Sequence, residues 1–250
     1  MMFEGTVFVS RLWAVVLYSG LAAACAALGV LPFMARRRLP SAWLGWADAL
    51  AAGLMLGASY ILVVEGIERL PLAETFGTLA GIATLYATHA LTGIWKPGLR
   101  PARPDGSGPT DKLWLRNAIH SSAEGVSIGA AMAVDLDFGI FVALALTAHN
   151  VPEATALCAY LVPRGVRLLP AALLCVAANL GQIVLAVLTF LMVAEQPALL
   201  PAALGFAAGA LIYLVVVELL PDSFAKTGHT TIAVLTSVAL GAVVIFRGMI

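Results

Sequence analysis

"TAHNVPEATALC" (147–158) lies inside a run so apolar that it reads as buried in lipid, yet it carries a histidine and a glutamate four positions apart. Upstream, "AIHSSAEGVSIG" (118–129) repeats the arrangement. Aligned without gaps, the stretches set His120, Ser121, Ala123, Glu124 and Gly125 against His149, Asn150, Pro152, Glu153 and Ala154. Insertion scales put an aspartate at the centre of a membrane span at a cost of roughly 2.5–3.5 kcal/mol, so ionisable groups there need a partner or a purpose. Residues four apart stack on one helical face, which lays His120 over Glu124 and His149 over Glu153. A single pair is equally well an intramembrane hydrogen bond tying a bundle together. Two pairs in register set like carboxylates side by side, and a bound divalent cation removes that repulsion. Two neutral imidazoles and two carboxylates suit zinc and tolerate iron, manganese, cobalt or cadmium.

The rest of the chain agrees with a lipid setting. Its 250 residues are 61% hydrophobic and only 11% charged, with a mean hydropathy of +0.97, the composition of a polytopic all-α membrane protein. Net charge is zero, which gives no reason to expect nucleic acid as a partner. Cys25, Cys158 and Cys175 fall in apolar runs without metal-ligand spacing and read as packing residues. On the ruler of about 20 residues per crossing, the apolar runs divide into eight expected spans: 7–33, 45–67, 75–95, 113–134, 138–161, 168–193, 199–220 and 229–247. The first has no basic leader and is too long for a signal-peptide core, so it reads as a retained span. "KPGLRPARPDGSGPTDK" (96–112) reads as a flexible loop. Nothing is left for a soluble domain, so 1–250 is expected to be one transmembrane transporter domain.

Lysine and arginine set the orientation, because cytoplasmic loops retain them. Arg36, Arg37, Arg38, Lys96, Arg100, Arg103, Lys112, Arg116, Arg164, Arg167 and Lys226 fall on alternate loops, eleven of the fourteen basic residues. The other side keeps Glu4, Glu68, Glu74, Asp135, Asp137 and Glu195. Both termini are therefore predicted outside a plasma or inner membrane, with an acidic outer mouth that concentrates cations. Trp43, Trp46, Trp95 and Trp114 fall where an inner aromatic belt would sit.

No H-E-x-x-H protease signature occurs, so both carboxylates read as ligands rather than bases. Exchangeable histidine and carboxylate ligands at mid-membrane are what alternating access needs. Pro152 should bend its helix beside them and free polar backbone. His89 reads as an interface hydrogen-bonder or an exit-path residue, His229 as a solvated cap, and Glu65 as a partner of Arg69. Glu218 has no basic residue within a helical turn and leans toward the metal path.

These residues resemble the ZIP family of divalent-metal transporters, which carry zinc and related metals into the cytoplasm. The family's paired motif, H-N-x-P-E-G on span 4 with a close variant on span 5, matches His120, Glu124 and Gly125, then His149, Asn150, Pro152 and Glu153. "AAGLMLGAS" (51–59) is similar to a small-residue stretch that makes Met55 a soft metal ligand, and "AAGALIYLVVVELLPDS" (207–223) to an ending that includes Glu218 and Pro221. The resemblance implies eight spans in an inverted 3+2+3 arrangement, movement of the central metal-bearing helices against the others, and a homodimer. It also implies transported zinc, or iron, manganese, cobalt or cadmium, as substrate, with no cofactor and no enzymatic activity. Ser121, Ala123 and Gln182 depart from the family's asparagine, proline and glutamate, so the chain holds one metal, or a second weakly through Asn150, Ser121 and Gln182. The inner loop lacks the histidines many relatives carry. Two alternatives stay open, a membrane-embedded zinc hydrolase and a non-transporting metal sensor.

Overall fold

The structure, a computed structural model, describes residues 5–92 and 110–249. The described chain is helical throughout: α1 (Gly5–Cys25), α2 (Pro32–Ala35), α3 (Ser41–Arg69), α4 (Pro71–Thr92), α5 (Thr110–Val134), α6 (Leu136–Leu161), α7 (Leu168–Ala178), α8 (Leu180–Glu195), α9 (Leu200–Leu214), α10 (Leu220–Phe224) and α11 (His229–Arg247). Runs rich in alanine and leucine favour helix, and a backbone in lipid must satisfy its own polar groups. Among the described residues six stretches are long and apolar enough to cross a membrane: Gly5–Ala35, Ser41–Arg69, Leu136–Arg164, Leu168–Glu195, Pro197–Phe224 and His229–Arg247. The eight spans expected from sequence thus become six on that criterion. Helices α4 and α5, 22 and 25 residues long, carry Glu74 and His89, and Arg116, His120 and Glu124, which make them more polar. The loop expected at 96–112, like Trp95, lies largely outside the described residues; 110–112 already belong to α5.

Three stretches are interrupted where no interruption was expected. A 3-10 segment, Ala26–Val30, separates α1 from α2. Asn179, with φ −94° and ψ 1°, divides α7 from α8. A π-turn, Val215–Leu219, links α9 to α10. Pro152, by contrast, is carried inside α6 without ending it.

Packing sorts the helices into two groups. Helix α4 lies along α9, and α3 along α11 and α9; α5 lies along α8, and α6 along α1 and its 3-10 segment. The groups meet where α3 touches α6 and α5 touches α9. Both have close backbone contact. A Cβ on Gly125 or Gly129 would strike the Gln182 or Ala186 carbonyl of α8, and one on Gly77 or Gly81 the Ala202 or Phe206 carbonyl of α9. Small residues permit that approach in a bundle where lipid competes equally for apolar side chains.

Several charges near the helix ends, among them two assigned to the outer mouth, are engaged within the fold. Glu74 is buried between helices and accepts a hydrogen bond from Thr78 Oγ1 at 2.8 Å. Asp135 caps α6 by accepting from the Phe138 amide at 2.7 Å. Arg11 Nη1 donates to the Met132 and Val134 carbonyls at the end of α5. Arg69 pairs with Glu65 at 2.7 Å. Lys226 pairs with the buried Asp48.

Candidate metal site

Helices α5 and α6 contact each other along the faces that carry the repeated motif. Glu124, His149 and Glu153 each offer one ligand atom, and those atoms all lie within 4.8 Å of one another. His149 is held by its own helix: Nδ1 lies 2.9 Å from the Leu146 carbonyl. A carbonyl only accepts, so Nδ1 carries the hydrogen and Nε2 of the neutral ring presents a lone pair. That lone pair faces Glu153 Oε2 at 3.2 Å and Glu124 Oε1 at 3.4 Å. Three electron-rich atoms pointing at one spot repel unless a cation or proton lies among them. Both Glu124 oxygens and His149 Nε2 are buried without a hydrogen-bond partner.

The expected cage of four becomes a cluster of three with a bridge. His120 does not stand over Glu124 in a pair of its own; its Nδ1 lies 3.1 Å from Glu153 Oε1 and its Nε2 3.0 Å from Glu218 Oε2. Glu153 therefore meets both imidazoles, one through each oxygen. The crossing of α5 over α6 sets this pattern, since each carboxylate finds the neighbouring helix as near as its own. Glu218 also receives His89 Nε2 at 2.8 Å and forms an ion pair with Arg116, whose Nη1 reaches Asp222 Oδ2 at 3.0 Å. No basic residue lies within a turn of Glu218 on its own helix, and its cationic partner arrives from α5 instead. Arg116 had served only as an orientation signal, although its place four residues before His120 puts it on the ligand face.

The residues read as a second metal set are engaged with each other and with the broken helices. Asn150 Nδ2 donates to the Ala22 carbonyl at 3.0 Å and to Gln182 Oε1 at 3.3 Å. Ser121 donates to the Ala178 carbonyl at 2.9 Å. At the Asn179 break the Gln182 amide turns to Asn179 instead, so Ala178 needs another donor, and the serine supplies it. Asn150 Oδ1 and Gln182 Nε2 remain buried without a hydrogen-bond partner. Met55 is fully buried in the larger apolar cluster, together with Ala123 and Leu146. His229 lies at the surface against the Phe224 ring, 5.0 Å between centroids.

Gly125, Ser127 and Gly129 have the G-x-S-x-G spacing of a hydrolase elbow, but that motif needs a strand-to-helix turn. Here Ser127 is mid-helix, fully buried, and donates to the Ala123 carbonyl at 2.9 Å.

A family model described as ZIP zinc transporter matches residues 113–247, which include α5, α6 and Glu218. A protein of Arabidopsis thaliana, named provisionally as a zinc transporter, is 30% identical over 243 residues, 91% of this chain. The chain spans 37% of that relative's length.

Proposed function

The chain belongs to the ZIP zinc transporter family, and from that premise we propose that it carries divalent transition-metal ions, zinc above all, across a membrane into the cytoplasm. The observation that carries this reading is the convergence of Glu124, His149 and Glu153 inside α5 and α6, where among the described residues the Glu124 oxygens and His149 Nε2 have no hydrogen-bond partner. The protein is read as one transporter domain of eight spans in a 3+2+3 arrangement, with α4 and α5 as the two polar spans and both termini outside. The two packing groups support the arrangement, because the helices that carry the site form one group with α1 and α8.

In the cycle, the ion sheds water and is held by His149 Nε2 and the carboxylates of Glu124 and Glu153. His120 helps fix Glu153. Movement of the site-bearing group against the other carries the ion inward, toward Glu218 and His89. Neutral imidazole and deprotonated carboxylate bind metal, so protons compete with the ion.

The test is uptake of radiolabelled zinc, manganese, iron and cadmium into proteoliposomes. The parent is expected to carry at least zinc, and His149→Ala and Glu153→Ala to carry none above background. Metal binding without flux in the parent would make it a sensor. Zinc-dependent hydrolysis that disappears with Glu153 would make it an enzyme.

A further inference from the structure

Glu218, His89 and His120 make a second group of metal-type donors beside the first. His89 Nε2 lies 2.8 Å from Glu218 Oε1 and His120 Nε2 3.0 Å from Glu218 Oε2, and all three side chains are buried. The donor types suit zinc, but among the described residues only Glu124, His149 and Glu153 bring three ligand atoms within 4.8 Å of one another. The second group also carries a built-in cation, Arg116. Its guanidinium pairs with Glu218 on one side and with Asp222 on the other, and its side chain is only 23% exposed. Glu218 sits in the π-turn and Asp222 one turn later in α10. The extra residue in a π-turn shifts the register of side chains, and here both carboxylates face α5. A guanidinium stays charged at every accessible pH, and its planar fork suits an anchor at each end.

We propose that Arg116 is a tethered counter-charge that keeps Glu218 from retaining a divalent ion, so that an ion leaving the first cluster passes on instead of stopping one step further in. The proposal rests on the transport reading above. A divalent ion at Glu218 meets a fixed positive charge at contact distance, in surroundings where screening is weak. It must share the carboxylate with the guanidinium or displace it. His120 links the two positions, with one nitrogen on Glu153 and the other on Glu218. Arg116 therefore acts through Glu218 as a positioning residue and never touches the ion.

The experiment compares zinc stoichiometry and proteoliposome flux for the full-length parent, Arg116→Gln, Arg116→Lys and the double variant Arg116→Gln/Glu218→Gln. The parent is expected to hold one tightly bound zinc per chain. Arg116→Gln should hold two, with maximal flux and apparent KM both falling about tenfold, the signature of slow release. Arg116→Lys, which keeps the charge, should hold one, and the double variant should return to one. If Arg116→Gln does not fold, Arg116→Met removes the charge at similar length and gives the same readouts. A single zinc in the uncharged variants, or Arg116→Lys behaving like Arg116→Gln, overturns the proposal. A parent that neither binds nor carries zinc overturns the transport reading instead, and the role of Arg116 falls with it.

Discussion

Two buried carboxylate groups stand side by side in this protein, and only one has a cation built in. At Glu218 the chain supplies Arg116, which also reaches Asp222, and His120 and His89 each approach one carboxylate oxygen. At Glu124, among the described residues, both oxygens are buried without a hydrogen-bond partner, and His149 Nε2, 3.4 Å from Oε1, presents its own lone pair. Burying an unpaired carboxylate costs several kcal/mol, which a bundle tolerates only where the charge has a use. One group holds a permanent cation of its own; at Glu124, among the described residues, no lysine or arginine is paired with the carboxylate.

The largest effect that would break this contrast is loss of the shared ligands. Glu153→Ala or His149→Ala should lower zinc affinity by roughly 100-fold or more, since even outer partners of ligands cost 10–100-fold, as isothermal titration would read. An unchanged affinity would refute the assignment. The next sharpens it by sign. Glu218→Gln removes one of the two carboxylates on Arg116 and should lower the thermal midpoint of the metal-free protein, whereas Glu124→Gln removes an unpaired charge and should raise it while weakening zinc binding. Melting curves in detergent, with and without zinc, decide both. If the two variants shift the midpoint in the same direction, the two groups are not different in kind.

A third effect is acidity. Imidazole and carboxylate must shed protons to bind metal, so uptake should fall as the pH is lowered from 7.5 to 5.5, by up to about tenfold per unit for each proton displaced. Flux that is flat over that range would remove His149 and the glutamates from the ion's coordination. The smallest effect belongs to the scaffold. Ser121→Ala deletes the hydroxyl on the Ala178 carbonyl and should cost about 1 kcal/mol with zinc affinity nearly unchanged. A large loss of affinity there would put Ser121 on the ion itself.

Much of this was legible in the sequence because lipid makes strong demands. Long apolar runs must be helix, and His149 and Glu153 had to share a face whatever lay beside them; their 3.2 Å approach follows from i,i+4 spacing. Contacts between distant segments were not legible. Arg116 and Glu218 are 102 positions apart, and no local pattern joins them. The same holds for His120, which leaves its in-helix neighbour Glu124 for Glu153 and Glu218. The break at Asn179 was hidden because it needs no proline: the Ala178 carbonyl is accommodated by Ser121 on another helix. Glu74 looked like a loop charge because burial by α9 is a tertiary event, set by the glycine contacts between α4 and α9.

The most direct test of the central claim is the anomalous scattering of zinc in crystals of the protein. The account predicts a peak at about 2.0–2.2 Å from His149 Nε2 and from oxygens of Glu124 and Glu153. A peak confined to other side chains, with those three left without metal at saturating zinc, would contradict it.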